Sequence, residues 1–313
     1  MLERFLNPVV LASISGLDLV AKTVVDGFVA GLHRSPDFGF SQEFAEYRVY
    51  TPGDDLRHVD WNVFARTERA YLKRYRGETN TQLTLLLDAS ASMGFKGGGF
   101  KGGGFKDGGL KGGGSDGVSK IDYARFLAAS ICYLAHQQRD AAGLIVFDDE
   151  VRSYVPPSTR QGQLPRLLHC LEGAEPKART EFAKPFHHFQ SLMKRRGIVM
   201  VISDFYEQPE IVIRTIEPLR FHGNDVVLFH VLDAQEIEPK LNQPLLLVDM
   251  ETNATVEVSP EYTRTEYREK MKAHIEALGS KARAAGMDYF LTRTDRPLDE
   301  AMREYFHVRQ RRM

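Results

Sequence analysis

Asp88, Ser90 and Ser92 stand at alternating positions in the run Leu83-Thr-Leu-Leu-Leu-Asp-Ala-Ser-Ala-Ser92. A carboxylate and two hydroxyls in this spacing are hard oxygen donors. They suit a small divalent cation: Mg²⁺ first, with Mn²⁺ or Ca²⁺ as alternatives. The apolar run before them is short, which predicts a strand buried on both faces, as in a parallel sheet. The three residues then lie where that strand ends, and in open α/β sheets ligands bind at the carboxyl ends of strands. A second apolar run, Ile198-Val-Met-Val-Ile-Ser-Asp204, also ends in a carboxylate. If the two strands are parallel neighbours, Asp88 and Asp204 come close together. Two such carboxylates repel unless a cation or a proton lies between them. A further donor must come from a loop, and Thr180-Glu181, just before a helical stretch at Phe186, is the natural source.

The elements around these residues follow from periodicity. Leu17 to Leu32 carries an apolar stripe at helical spacing and needs a partner surface. Residues 33–80 are rich in charge and aromatics, with β-like pieces at Ala45–Thr51 and Ala70–Tyr75. From Thr81 strands and helices alternate. Strands are expected at Thr81–Leu87, Gly143–Phe147, Val151–Val155, Ile198–Ser203, Val226–Leu232 and Met287–Leu291. Helices are expected at Ile121–Gln137, Gln163–Leu171, Phe186–Met193, Glu210–Leu219, Glu261–Ala285 and Pro297–Phe306. Leu245–Met250 and Thr255–Val258 read as a hairpin. This alternation predicts an α/β fold with a doubly wound, mainly parallel sheet. Residues 1–80 form a small helix-and-strand extension in this reading, and 81–313 the α/β domain.

Composition narrows the class. The 313 residues are 42% hydrophobic and 27% charged, ordinary for a globular protein. A net charge of −1 exerts no global pull toward nucleic acid or a membrane surface. Pro8 to Leu32 is the longest apolar stretch near the N-terminus, but Asp18, Lys22 and Asp26 argue against a membrane span. No signal-peptide pattern is visible, so a cytoplasmic location is the expectation. Cys132 and Cys170 sit among apolar residues, as buried thiols do.

One segment breaks the pattern. Phe95 to Gly114 repeats every five residues, and 94–117 holds 13 of the chain's 26 glycines. This predicts a flexible insertion over 94–118, which cannot bury enough apolar surface to fix itself. It is either a tolerated insertion or a basic flap carrying Lys96, Lys101, Lys106 and Lys111. It lacks the Gly-x-x-x-x-Gly-Lys-Ser/Thr order of a phosphate-binding loop.

Asp-x-Ser-x-Ser, a distant Thr and a later Asp resemble the metal-ion-dependent adhesion site of von Willebrand factor A domains. The resemblance implies that fold, of Rossmann type. It also implies direct coordination by Ser90, Ser92 and Thr180, with Asp88 and Asp204 acting mainly through water. An open position would accept a carboxylate from a partner. Thr159 competes with Thr180 for the third place, and Phe205 stands where many such domains have Gly. A longer stretch, Ser41-Gln-Glu-Phe-Ala-Glu-Tyr-Arg-Val-Tyr-Thr-Pro-Gly-Asp-Asp-Leu-Arg-His-Val-Asp-Trp61, resembles the bacterial "domain of unknown function 58" family. Lys73-Arg74-Tyr75, Lys120-Ile-Asp-Tyr-Ala-Arg125 and Gly143-Leu-Ile-Val-Phe147 fit the same pattern. Members are often encoded beside MoxR-type AAA+ ATPases. The resemblance therefore implies a metal-dependent adaptor for such an ATPase, acting on an unknown protein client.

Other chemistry is thinner. A dehalogenase-type phosphatase needs a carboxylate where Ser90 offers a hydroxyl, and Gly-x-Ser-x-Gly is absent. His187 and His188 are adjacent on a helix and so face different ways. A metal-dependent phosphoester hydrolase is the alternative to the adaptor. Pro52 to Trp61 reads either as turn chemistry, with Arg57 pairing Asp54 or Asp60 and Trp61 buried, or as a docking surface.

Overall fold

A run such as Leu83–Leu87 has no face to give to solvent, so strands must flank it on both sides. In the computed structural model all five of these residues are buried, at the centre of a six-stranded sheet. The structure describes residues 8–14, 16–32, 44–50, 59–75, 82–97, 117–177, 182–192, 195–241, 243–248 and 254–310. In chain order the elements are α1 (Pro8–Leu11), α2 (Leu17–Leu32), β1 (Phe44–Val49), α3 (Trp61–Thr67), β2 (Tyr71–Tyr75) and β3 (Gln82–Asp88). Then come α4 (Lys120–Gln137), β4 (Ala141–Phe147), β5 (Val151–Ser158), α5 (Gln163–Glu172), α6 (Ala183–Leu192), β6 (Ile198–Ser203) and α7 (Pro209–Phe221). The last are β7 (Asp225–Leu232), α8 (Ala234–Ile237), β8 (Leu245–Val248), β9 (Thr255–Val258), α9 (Pro260–Tyr262), α10 (Arg268–Ala284), β10 (Asp288–Arg293) and α11 (Leu298–Gln310).

By packing, the chain divides into two units: Met1–Phe28 with Thr81–Met313, and Val29–Asn80. The larger unit holds the main sheet, ordered β10-β7-β6-β3-β4-β5. Every pairing in it is parallel except β4 with β5. That exception has a local cause. Only Asp148, Asp149 and Glu150 separate β4 from β5, too few residues for a parallel crossover but enough for a hairpin. The fold is thus mixed α/β with a mostly parallel sheet and flanking helices. From β3 the chain passes through α4 to β4 on one side, while β6 lies on the other. The sheet therefore diverges at β3 and β6, the switch point where a crevice opens at the strand ends.

The core is apolar and aromatic. Phe147 meets Phe186 and Phe189 edge-on at 5.7 and 5.4 Å, over Val201, Leu228 and Leu278. The stripe expected on α2 has found its surface. Val20, Ala21, Val24, Val25 and Phe28 are buried, and the Phe28 ring lies 5.2 Å from Phe306 on α11. The long helix expected over 261–285 is present as one unbroken helical run in which α9 and α10 are joined through a wider π turn at Thr263–Tyr267. Hydroxyls of Thr263 and Thr265 donate to the carbonyls of Pro260 and Glu261, and such back-bonding bends helices. The hairpin at β8 and β9 is present and antiparallel.

In the smaller unit β1 pairs antiparallel with β2. Asp60 begins α3 by accepting from the Val63 N–H through Oδ1 at 3.2 Å. Trp61, expected to be buried if this segment is structural, is 59% exposed, with its ring edge-on to Phe64 at 6.0 Å. The first helical turn after Asp60 points it outward. Pro52 to His58, and with them the Arg57 pairings, lie outside the described residues, as does the repeat over 98–116. At the root of that insertion, a Cβ on Gly117 would lie 2.9 Å from the Gly97 carbonyl oxygen. Only glycine permits so close a backbone approach.

Candidate functional site

Parallel pairing of β3 with β6 matches Leu87 to Ile202, so the next residues of both strands emerge at the same end of the sheet. Asp88 is buried there. Its Oδ2 accepts from the Ser203 hydroxyl at 2.6 Å and its Oδ1 from the Ser90 N–H at 2.9 Å. Ser90 Oγ and Ser92 Oγ are 3.1 Å apart. Ser90 is fully buried, while Ser92 is half-buried in the 3₁₀ turn Ala91–Gly94. Burial, and after it the Asp204 charge, push the Asp88 carboxyl up to about 7, against the pull of the Ser203 and Ser90 hydrogen bonds.

Asp204 is buried too, and it has a cation. Lys120 Nζ donates to Asp204 Oδ2 and to Glu236 Oε1, both at 2.7 Å, from a fully buried side chain. Burial works to strip the Lys120 proton. Asp204 and then Glu236 outweigh it and hold the ammonium above the ordinary lysine range. The Tyr206 ring lies 4.7 Å from the same nitrogen. Glu236 is itself fixed by a capping box at α8. Its Oε2 accepts from the Asp233 N–H at 2.8 Å, and Asp233 caps the helix in return. Asp233 Oδ2 also accepts from the Thr294 hydroxyl at 2.7 Å, tying in the end of β10.

Phe205 follows Asp204 with φ +47°, left-handed for a residue that disfavours it. Its N–H donates to Ser203 Oγ at 3.0 Å, and its buried ring packs on Phe182 at 5.8 Å. The ring compensates the backbone strain. Phe205→Gly should therefore destabilise the protein: relief of about 1–2 kcal/mol of strain is smaller than the about 3–5 kcal/mol lost on truncating a buried Phe. A chemical-denaturation midpoint should show a net loss of about 2 kcal/mol. Beneath this turn His230 and His274 are held neutral, both pushed down by burial, His230 to about 3.

Of the residues expected from sequence, Asp88, Ser90, Ser92 and Asp204 thus gather at one end of the sheet. Thr180 lies outside the described residues. Thr159 is exposed just beyond β5, whose last residue, Ser158, pairs with Ala142. Ala142 sits beside Leu83, at the start of β3, so Thr159 is at the wrong end of the sheet. His187 and His188 are exposed on α6. Ser203, Lys120 and Glu236 were not anticipated as site residues. Asp233-Ala-Gln-Glu236 has capping-box spacing directly after a strand, a signal that was available for Glu236. Lys120, one residue past the Ser119 cap, looks in sequence like any solvated helix lysine.

The donors gathered here are hard oxygens, the buried carboxylates of Asp88 and Asp204 and the Ser90 and Ser92 hydroxyls 3.1 Å apart, with no thiol or imidazole among them. Among the described residues no three His, Cys, Asp or Glu side chains form a ligand group by themselves. Any cation here would therefore depend on hydroxyl and water oxygens. None of the described helices is long and apolar enough to cross a membrane.

Solved structures with similarity to this chain include the conserved hypothetical protein BatB from Bacteroides thetaiotaomicron. It is 13% identical, with 73% of this chain and 98% of that one covered at a TM-score of 0.44. An aerotolerance-related membrane protein from Bacteroides fragilis NCTC 9343 is 12% identical, with 73% and 99% covered and the same TM-score of 0.44. Among curated proteins, the uncharacterized protein Rv1480 of Mycobacterium tuberculosis is 27% identical over 296 residues, 93% of this chain and 86% of that protein. The uncharacterized protein Mb1516 of Mycobacterium bovis matches equally. The model of the family described as "Protein of unknown function DUF58" matches residues 46–101 and 111–277, more than half of the chain, and the chain belongs to that family.

Proposed function

We propose that the protein is a non-catalytic, metal-dependent interaction module whose strand ends form a von Willebrand factor A-like metal-ion-dependent adhesion site. The observation that carries this reading is the meeting of Asp88, Ser90 and Ser92 with Asp204 at the switch point of the sheet. Ser90, Ser92 and Thr180 would hold the ion, Mg²⁺ in the first instance, with Asp88 and Asp204 behind them. Such an ion supplies a Lewis-acidic position for an incoming carboxylate. The proposal for Thr180 has support from its described neighbours. The Lys177 N–H donates to the Ala89 carbonyl at 3.2 Å, and the Phe182 ring packs on Phe205. The chain on both sides of 178–181 is thus anchored next to Asp88 and Asp204.

The family resemblance supports a MoxR-type AAA+ ATPase as partner, in maturation or assembly of a protein client. The test is co-purification of the full chain with the MoxR-type ATPase of the same genome. Binding is expected in Mg²⁺, with loss in EDTA and loss in the Ser90→Ala/Ser92→Ala variant. Metal-independent binding, or binding retained by the folded double variant, would overturn the mechanism. Asp88-dependent turnover of phosphoesters in Mg²⁺ or Mn²⁺ would favour the hydrolase alternative instead.

A further inference from the structure

Three carboxylates and one ammonium lie at the ends of β3, β6 and β7: Asp88, Asp204 and Lys120 are buried, and the Glu236 side chain is 10% exposed. Lys120 contacts two of the three acids at 2.7 Å and leaves Asp88 to its hydroxyl and amide partners. Its position is over-determined. Ser119 caps α4 by accepting from the Asp122 N–H, the Lys120 N–H donates to the Phe95 carbonyl at 3.0 Å, and the Tyr206 ring lies against the ammonium. Glu236 is equally fixed, through the Asp233 N–H. A buried ammonium held this way cannot swing out to solvent as a surface lysine does, so its charge is a permanent part of the site.

We propose that Lys120 sets the charge of the site: with Asp88, Asp204 and Glu236 all ionised around a bound cation, it would cancel one of the three and leave two net negative charges, the complement of one divalent cation. The inference rests on the metal-site reading above and deepens it. Lys120 is a positioning residue in this scheme. It binds one oxygen of Asp204 and so fixes the carboxylate, while its charge lowers the affinity for a second positive group. With no resident cation, three ionised acids would hold a divalent ion more tightly. With one acid fewer, they would hold it weakly. The Coulomb interaction grows in proportion to the site charge and is little screened at a buried position.

The experiment is calorimetric titration of MnCl₂ into the full-length protein and three variants, each checked for folding by circular dichroism. Lys120→Met carries one more net negative charge than wild type, and Glu236→Gln one fewer. Lys120→Met/Glu236→Gln restores the wild-type charge without the lysine. Mn²⁺ affinity should rise about tenfold or more in Lys120→Met and fall about tenfold or more in Glu236→Gln. In the double variant it should return to within about threefold of wild type. Should Lys120→Met not fold, Glu236→Gln and the double variant still decide the matter. Affinity that ignores net charge overturns the role of Lys120 while leaving the metal site standing. That result would be Lys120→Met binding like wild type, or the double variant binding like Glu236→Gln. Wild-type protein that takes up no Mn²⁺ overturns the metal reading, and this inference with it.

Discussion

Lys120→Met should lower stability in EDTA by about 3–5 kcal/mol, the cost typical of stranding buried charges. The lysine is fully buried and ion-paired twice. Its loss leaves Asp204 and Glu236 without a cation in a space that water does not reach freely. Both must then carry unpaired charge or take up a proton. Adding Glu236→Gln removes one of the stranded acids, so the double variant should recover part of the loss. This non-additivity marks a coupled group rather than two independent contacts. Urea denaturation of wild type, both single variants and the double variant gives the coupling directly. A Lys120→Met protein as stable as wild type would mean that the ammonium is not buried against these acids.

Acid should expose the second large effect, at His230. Its Nδ1 is 2.7 Å from the Tyr289 hydroxyl, and its ring lies edge-on to His274 at 5.9 Å. Asp204 faces it from the end of β6 and raises its proton affinity. Burial, His274 on α10 and Lys120 on α4 lower it. Burial dominates, and the imidazole falls from its ordinary 6.5 to about 3. A depressed folded-state value means that the stabilisation is fully present above pH 6.5 and is lost as pH falls toward 3. At about 1.36 kcal/mol per unit, wild type should lose about 2–3 kcal/mol between pH 7 and pH 4.5 through this residue. His230→Gln cannot titrate, so its stability should fall less over the same interval by that amount. Comparing the two proteins removes the contribution of Asp88, which has the opposite sign because its raised carboxyl is stabilising in the acid form. Parallel stability curves for the two proteins would contradict the neutral, buried assignment.

Much of the architecture was legible because it depends on periodicity. The runs at Leu83 and Ile198 read as buried strands, and the parallel pairing on which the site depends is what the sheet adopts. Asp88 and Asp204 were legible for the same reason, as polar residues ending apolar runs. What escaped depends on where the chain brings distant elements together, even where a local signal such as the capping box at Asp233 was present. Lys120 is a site residue only because the start of α4 lets its ammonium reach Asp204, just past β6, at 2.7 Å. Glu236 is one because a four-residue helix, α8, turns at the end of β7. Position just before the helix at Phe186 favoured Thr180 without removing Thr159 as a competitor, whereas the antiparallel direction of β5 removes Thr159 at once. For Trp61 burial and a docking surface were both open, and its place in the first turn of α3 exposes it.

The proposed function requires a cation at the end of β3. Metal-stripped protein should be titrated with Mn²⁺ and the free ion followed by electron paramagnetic resonance, for wild type and for Ser90→Ala/Ser92→Ala. Wild type should bind one Mn²⁺ per chain, displaced by excess Mg²⁺, and the folded double variant should show no such uptake. Wild type that leaves Mn²⁺ free in solution, or a double variant that binds it equally well, would rule out a cation held by these hydroxyls.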